Sequence, residues 1–469
     1  MIGLRGAILL AVASPAFGAS PTGLMVDFQL SPSLGVRGAD AKGGPPTFTY
    51  ILPACAAAAD ATQTDYQIVV TREGAPFWDS GKTAGTDSTY VAYGGPDSLH
   101  AGTRYEWTVT SWSAACGASD ASAPALFIPA LPVNGWDASA QFMTLATPAT
   151  ANFAYFRKDI IVPAGTVSAV ASVTAVLEDK LLSAYKLYVD GVLINIGPGR
   201  GEAPVWGGDG VFRTLPFQTL DLTSVLAPGR HTLALQTMHE TPTAIMQIII
   251  RDADGTPTLI VTDASWAAFD GDAHRKPGPP PHQHWAGSGF VEYIDARGEP
   301  VGWRDPGFIA GAGWAPAAAA PITPDMAEML HPRMQPPFTV VDIALAELRP
   351  VPSAPLSYIG IFPKEFQGGL RLDITGGVAG TTVNISCGES LNVSTIGSTW
   401  GWDFWWTLRD GVQTLEQHKY MECRFVRLDF SAAPASFLLS AWQASYPWVE
   451  SDSSFESDNS TLDAVYDLW

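Results

Sequence analysis

Apolar and polar positions alternate with a period of two through most of this chain, which predicts short β-strands rather than helices. Tyr105, Trp107 and Val109 fall on one face and Glu106, Thr108 and Thr110 on the other, the pattern of a strand with one buried side. Tyr66-Gln-Ile-Val-Val70 reads as a strand too, and Trp78-Asp-Ser-Gly-Lys82 as a turn. Further on, Ala184-Tyr-Lys-Leu-Tyr-Val189 runs into Asp190-Gly191, a dipeptide that favours a tight hairpin. Leu370, Leu372 and Ile374 alternate inward, with Gly368-Gly369 and Gly376-Gly377 at positions suited to strand edges and turns. Only the last residues change period. Leu462, Val465, Leu468 and Trp469 recur at helical spacing behind Asn459 or Ser460, either a suitable N-cap.

These patterns divide the chain into successive units. Residues 24–130 read as a β-sandwich of the fibronectin III or immunoglobulin kind. Leu131-Pro-Val-Asn-Gly135 reads as a linker, 135–332 as a second β region, 333–446 as a third, and 447–469 as the start of something helical. Inside the second region, Lys276-Pro-Gly-Pro-Pro-Pro-His-Gln-His284 and Trp314-Ala-Pro-Ala-Ala-Ala-Ala-Pro321 are too rich in proline to hold a strand ladder and are expected to be extended and irregular.

A length of 469 residues exceeds one core and suggests about three domains. The 46% hydrophobic and 15% charged content, with 45 Gly and 37 Pro, is that of folded, turn-rich material. The 26 basic against 46 acidic residues leave a net charge of −20, which repels polyanions and argues against nucleic acid as a partner. At the N-terminus Arg5, the apolar run Ala7 to Ser14 and Ala16-Phe17-Gly18 have the three parts of a secretory signal, so residues 1–18 are expected to be removed and the protein exported. No later segment reaches the roughly 20 apolar residues of a membrane span.

The four cysteines are even in number, which favours bridges in an oxidising compartment. Pairing Cys55 with Cys116 and Cys387 with Cys423 keeps each bridge inside one predicted domain; four buried thiols are the other reading. Zinc is disfavoured by the absence of close cysteine pairs. His282-Gln-His284, with His274 nearby, reads as an exposed loop rather than a metal site. Three sequons, at Asn384, Asn392 and Asn459, are candidate glycosylation positions.

Two long runs carry more than composition. PKEFQGGLRLDITGGVAGTTVNISCGESL from Pro363 and GWDFWWTLRDGVQTLEQHKYMECRFVRL from Gly401 resemble the α-L-rhamnosidases of glycoside hydrolase family 78. The Trp78-Asp-Ser-Gly-Lys82 turn, Glu292-Tyr-Ile-Asp-Ala-Arg297 and Gly302-Trp-Arg-Asp-Pro-Gly307 resemble segments of the same family. The resemblance implies a fibronectin III-like sandwich over 24–130 and a jelly-roll over 135–332 with a Pro-rich insert. A concanavalin-like sandwich over 333–446 would follow, and 447–469 would open a six-hairpin helical catalytic barrel. The fold class expected is therefore all-β and multi-domain, with a short C-terminal helical segment.

The family's chemistry, hydrolysis of terminal α-L-rhamnose with inversion, needs a protonated carboxylic acid and a second carboxylate roughly 6.5–9.5 Å apart. In the family both come from the barrel, in a stretch rich in Asp, Arg and Glu before a Trp, and no such stretch occurs here. No catalytic residue is therefore assigned, although Glu389, Asp403, Asp410, Glu416 and Glu422 are carboxylates of the third unit. The chain is expected to be the N-terminal, non-catalytic part of a secreted rhamnosidase acting on a rhamnose-containing glycan or glycoside. A stand-alone carbohydrate-binding or adhesive protein is the alternative. Trp400, Trp402, Phe404 and Trp406 share one strand face, so Trp402 and Trp406 are sugar-platform candidates, with core or docking surface as the competing reading. Trp206 and Asp209 are candidates for a jelly-roll sugar or calcium site; no other cofactor is implied.

Overall fold

The computed structural model describes residues 19–38, 44–55, 61–146, 153–175, 184–197, 214–238, 242–277, 292–397, 402–418, 421–447 and 454–466. Its regular structure is almost all strand, in several sheets with only short helices. Among the described residues no helix is long and apolar enough to cross a membrane. The expected signal segment lies outside the described residues.

In the first unit, strands Thr22–Val26, Thr47–Ile51 and Val91–Ala92 share a sheet that faces a larger one built on Gln63–Arg72, Tyr105–Ser113 and Ala125–Pro129. Tyr105, Trp107 and Val109 are fully buried between the layers, as their alternation requires. The Phe48 ring lies 4.6 Å from that of Trp107. Asp79 accepts from the Gly81 N–H at 2.8 Å, closing the turn after Ala75–Asp79.

The second unit is also two-layered. Gly229–Met238 is flanked by Phe153–Val162 and Ala184–Val189 in one sheet, and Thr166–Ala175 by Leu215–Asp221 and Ala244–Asp252 in the other. Leu187, Leu235, Ala171 and Ile248 fill the space between. The Asp190-Gly191 hairpin forms as its residues predict, both having positive φ, 50° and 82°.

The proline-rich segments depart from expectation. Trp314–Pro316 pairs with Ala267–Asp270, Ala318–Pro321 pairs with Gln141–Thr144, and Arg275–Pro277 pairs with Glu292–Asp295. All three are terminal strands of their sheets, where a proline's missing N–H leaves no ladder bond unmade.

The third unit wraps around strand Ala354–Gly377. Its first half pairs with Met421–Phe430, and its second half with Ser436–Ser445 and Gly411–Glu416, so that one strand serves both layers of a sandwich. Leu370, Leu372 and Ile374 are buried in the core between them. At Gly368 a Cβ would overlap the Trp442 carbonyl, which is why glycine stands there. Two strands from within 135–332, Arg275–Pro277 and Glu292–Asp295, leave the second unit and extend this third sheet beyond Trp402–Thr407. Last, helix Ser460–Tyr466 starts behind Asn459, whose side-chain oxygen accepts from the Thr461 N–H at 3.0 Å, with Leu462 and Val465 half exposed.

Candidate functional site

The densest polar chemistry lies where the second and third units meet. Ala184–Val189 carries Lys186 out of its sheet toward strand Gly411–Glu416, and Lys186 Nζ reaches Glu416 Oε1 at 2.6 Å and the Gln417 carbonyl at 2.8 Å. The ammonium also sits 4.5 Å from the centre of the Trp442 ring, a cation–π contact strengthened by exclusion of water. Arg371 approaches the other Glu416 oxygen with Nε and Nη2, both at 2.7 Å, and reaches Asp342 at 2.8 Å.

A second buried pair continues the joint. Glu292 accepts from Arg275 Nη1 at 2.7 Å and from the His418 N–H at 2.9 Å, while Arg275 also bonds the Glu416 carbonyl. Beside it the Tyr155 hydroxyl and His274 Nε2 are 3.0 Å apart, and the Tyr155 ring stacks on Trp303 at 4.5 Å.

The electrostatics of this cluster are those of a locked joint. Burial works to raise the Glu416 carboxyl, but Lys186 and Arg371 outweigh it and hold the group at about 2. Burial draws Lys186 below its usual value while Glu416 pulls it back. Burial, then the neighbouring Arg275 charge, lowers His274 to about 3, so the imidazole is neutral at ordinary pH. A carboxylate kept ionised by two cations cannot donate a proton to a leaving group, so Glu416 is unsuited to the acid role in glycoside hydrolysis. Three other carboxylates of the third unit have surroundings of their own. Asp410 caps the Ala379 N–H, Glu422 accepts from Gln367 at 2.9 Å, and Asp403 is exposed on the far face of the sandwich.

The candidate residues fall as follows. Trp402 and Trp406 are 3% and 0% exposed and, with Phe404, belong to the sandwich core, so neither offers a face to a sugar; the Trp406 indole N–H donates to the Glu292 carbonyl. Alternation put these rings inside because the opposite positions, Asp403 and Trp405, face water. Trp400, Trp206, Asp209, His282 and His284 lie outside the described residues. His274 is buried against Tyr155, and among the described residues no group of His, Cys, Asp and Glu is placed to hold a metal ion. Asn384, Asn392 and Asn459 are all exposed.

Cys55 and Cys116 are bonded, with Cα atoms 6.0 Å apart. The expected Cys387–Cys423 bridge is absent, since both residues are buried thiols. On the neighbouring strands Cys387 lies opposite Val426, and the Cys423 thiol, in contact with that of Cys387, donates to the Phe425 carbonyl. Burial pushes the Cys387 thiol well above its usual range, which keeps it protonated and inert.

Sequence reasoning missed Trp405, 48% exposed and packed at 4.0 Å against Tyr293 on the neighbouring strand. The signal was there in the Trp405-Trp406 dipeptide, since adjacent strand residues must face opposite sides.

Residues 41–132 match the Rha78A-like N-terminal immunoglobulin domain, and residues 223–342 match the alpha-L-rhamnosidase N-terminal domain. An alpha-L-rhamnosidase of Streptomyces avermitilis is 26% identical over 259 residues, covering 48% of this chain and 24% of its own. Among solved structures, an alpha-L-rhamnosidase from Dictyoglumus thermophilum superposes with a TM-score of 0.70 at 19% identity, covering 92% of this chain and 49% of its own. The Streptomyces avermitilis alpha-L-rhamnosidase complexed with L-rhamnose superposes with a TM-score of 0.61 at 18% identity, covering 91% and 57%. The chain thus spans about a quarter of the curated relative's length and about half of these solved chains.

Proposed function

We propose that the chain is a member of the α-L-rhamnosidase family, whose N-terminal domain models it matches, and that its β-sandwiches are the non-catalytic, supporting part of a secreted glycoside hydrolase of that kind. In its complete form the enzyme hydrolyses terminal α-L-rhamnose from a glycan or glycoside with inversion, and the acid and base come from a helical catalytic unit rather than from these sheets. The domain layout expected from the sequence, a fibronectin III-like, a jelly-roll and a concanavalin-like unit, belongs to the same proposal.

The observation that carries this reading is the state of Glu416. It is a part-buried carboxylate held between two cations, and Lys186 at 2.6 Å and Arg371 at 2.7 Å keep it ionised and tie two units together. Such a group stabilises a joint. Inverting hydrolysis needs instead one carboxyl that stays protonated near neutral pH and faces a second across room for water.

Assay of the purified chain on an aryl α-L-rhamnoside is the test. The expected result is no release above the buffer rate. Turnover at an enzymatic rate that disappears in Glu416→Gln or Glu292→Gln would place the acid pair within these sandwiches and overturn the proposal. Export is tested separately, by the N-terminal sequence of protein recovered from the medium, expected to begin close to Gly18.

A further inference from the structure

The outer face of the third unit carries a feature that the supporting role does not use. One transverse row crosses the sheet: Lys276 opposes Tyr293, Tyr293 lies beside Trp405, Trp405 opposes Asn384, Asn384 opposes Asp429, and Asp429 opposes Ser357. Strands spaced about 4.8 Å apart make each member a lateral neighbour of the next. The Tyr293 and Trp405 rings are 4.0 Å apart at 37°, so Tyr293 braces the indole, which stays 48% exposed with Asn384 at the opposing register position.

The polar members differ in availability. Arg427 grips Asp429 with bonds of 2.9 to 3.0 Å, and Ser357 bonds the same carboxylate, so that charge is neutralised in place. Arg427 also holds the Ser394 carbonyl at 3.0 Å, which lays the hairpin of Ser390–Asn392 and Thr395–Gly397 across the sheet on that side. Asn384 and Asp403 are exposed, and among the described residues neither side chain has a hydrogen-bond partner.

We propose that this row is a binding platform for one neutral pyranose ring, stacked on Trp405 and hydrogen-bonded by Asn384 and Asp403. Three features select this occupant. A sugar presents an apolar C–H face to an aromatic ring and hydroxyls at its rim, which matches one exposed ring flanked by an amide and a carboxylate. An anionic ligand meets Asp403 and a chain of net charge −20. A protein partner would need a broad apolar centre, whereas here a single braced ring pair is surrounded by polar side chains. The platform is independent of the catalytic reading above, and either can fail alone.

The test is titration of the full chain, produced in a host that does not glycosylate Asn384, with methyl α-L-rhamnopyranoside, methyl β-D-galactopyranoside and methyl β-D-glucopyranoside. The readouts are the Trp405 indole N–H resonance and calorimetry. The expected result is saturable binding of at least one glycoside, weakened about tenfold or more by Trp405→Ala, and largely kept by Trp405→Phe. Circular dichroism should be unchanged, because this side chain lies outside the core. Absence of saturation by all three up to their solubility limits overturns the proposal, as does equal binding by Trp405→Ala. Trp405-dependent self-association without glycoside binding assigns the face to a second copy of the chain and overturns it as well.

Discussion

Lys186 Nζ lies 2.6 Å from Glu416 Oε1, joining two residues 230 positions apart on strands of different units. With Lys186 almost wholly buried, the contact cannot be exchanged for water, and it behaves as one object with Arg371. Removing one member therefore costs more than the pair contributes. Lys186→Met should lower the stability of the joint by about 3 kcal/mol, while Lys186→Met with Glu416→Gln should recover part of the loss. Urea denaturation of the two variants checks this, and a double variant no better than the single one would count against the coupling.

Acid should act on the joint earlier than on ordinary carboxylates. His274 is lowered to about 3 in the fold, so the folded state favours its neutral form. The stability it supplies is complete above the roughly 6.5 of free imidazole and drains away as pH falls toward 3. Glu416, held at about 2, contributes above the usual carboxylate value of about 4.3 and loses that contribution toward 2. Thermal melts should thus begin to drop near pH 6. His274→Gln should flatten the limb between about pH 6.5 and 4 without removing the steeper fall below it.

Thiol chemistry distinguishes the two cysteine pairs. An aromatic disulfide reagent should label neither Cys387 nor Cys423 in the native protein and both after unfolding. Cys55→Ser with Cys116→Ser releases a loop with a sequence separation of 61 and should destabilise the first unit by about 2–4 kcal/mol. Native labelling of Cys423 would show that the core of the third unit opens more readily than its packing implies.

Gly368→Ala forces a methyl group into the Trp442–Gln443 backbone, with no flexible side chain to give way. A loss of about 3 kcal/mol or more is expected, against little change for Gly411→Ala in terms of contact, since nothing lies near that position. Gly411 keeps a penalty from its φ of 82° alone, about 1 kcal/mol. Comparative melting temperatures separate steric overlap from backbone strain.

Much of the architecture was readable one residue at a time. Tyr105, Trp107 and Val109, the Asp190-Gly191 turn, the Leu370 to Ile374 alternation and the Asn459 cap all act locally, and local rules describe them. The buried charges were not readable: nothing near Lys186 announces Glu416, and the pairing exists only once two sheets have packed. The error over the proline-rich strands has a related origin. Proline forbids a central ladder, but whether Trp314–Pro316 is central or at an edge is a property of the sheet. Alternation placed Trp402 and Trp406 on one face with Phe404, and the same rule puts Trp405 on the opposite, solvent-facing side, a position the sequence reading left unassigned.

The excursion of Arg275–Pro277 and Glu292–Asp295 into the third sheet makes the units interlaced rather than strung in series. A cut near residue 333 would strip that sheet of its outermost pair on one side and leave two orphan strands dangling from the other fragment. Dissection into modules, and any shuffling of them between relatives, must therefore carry both pieces together, and during synthesis the earlier two strands, paired with each other, have to wait for a ladder that emerges more than a hundred residues later.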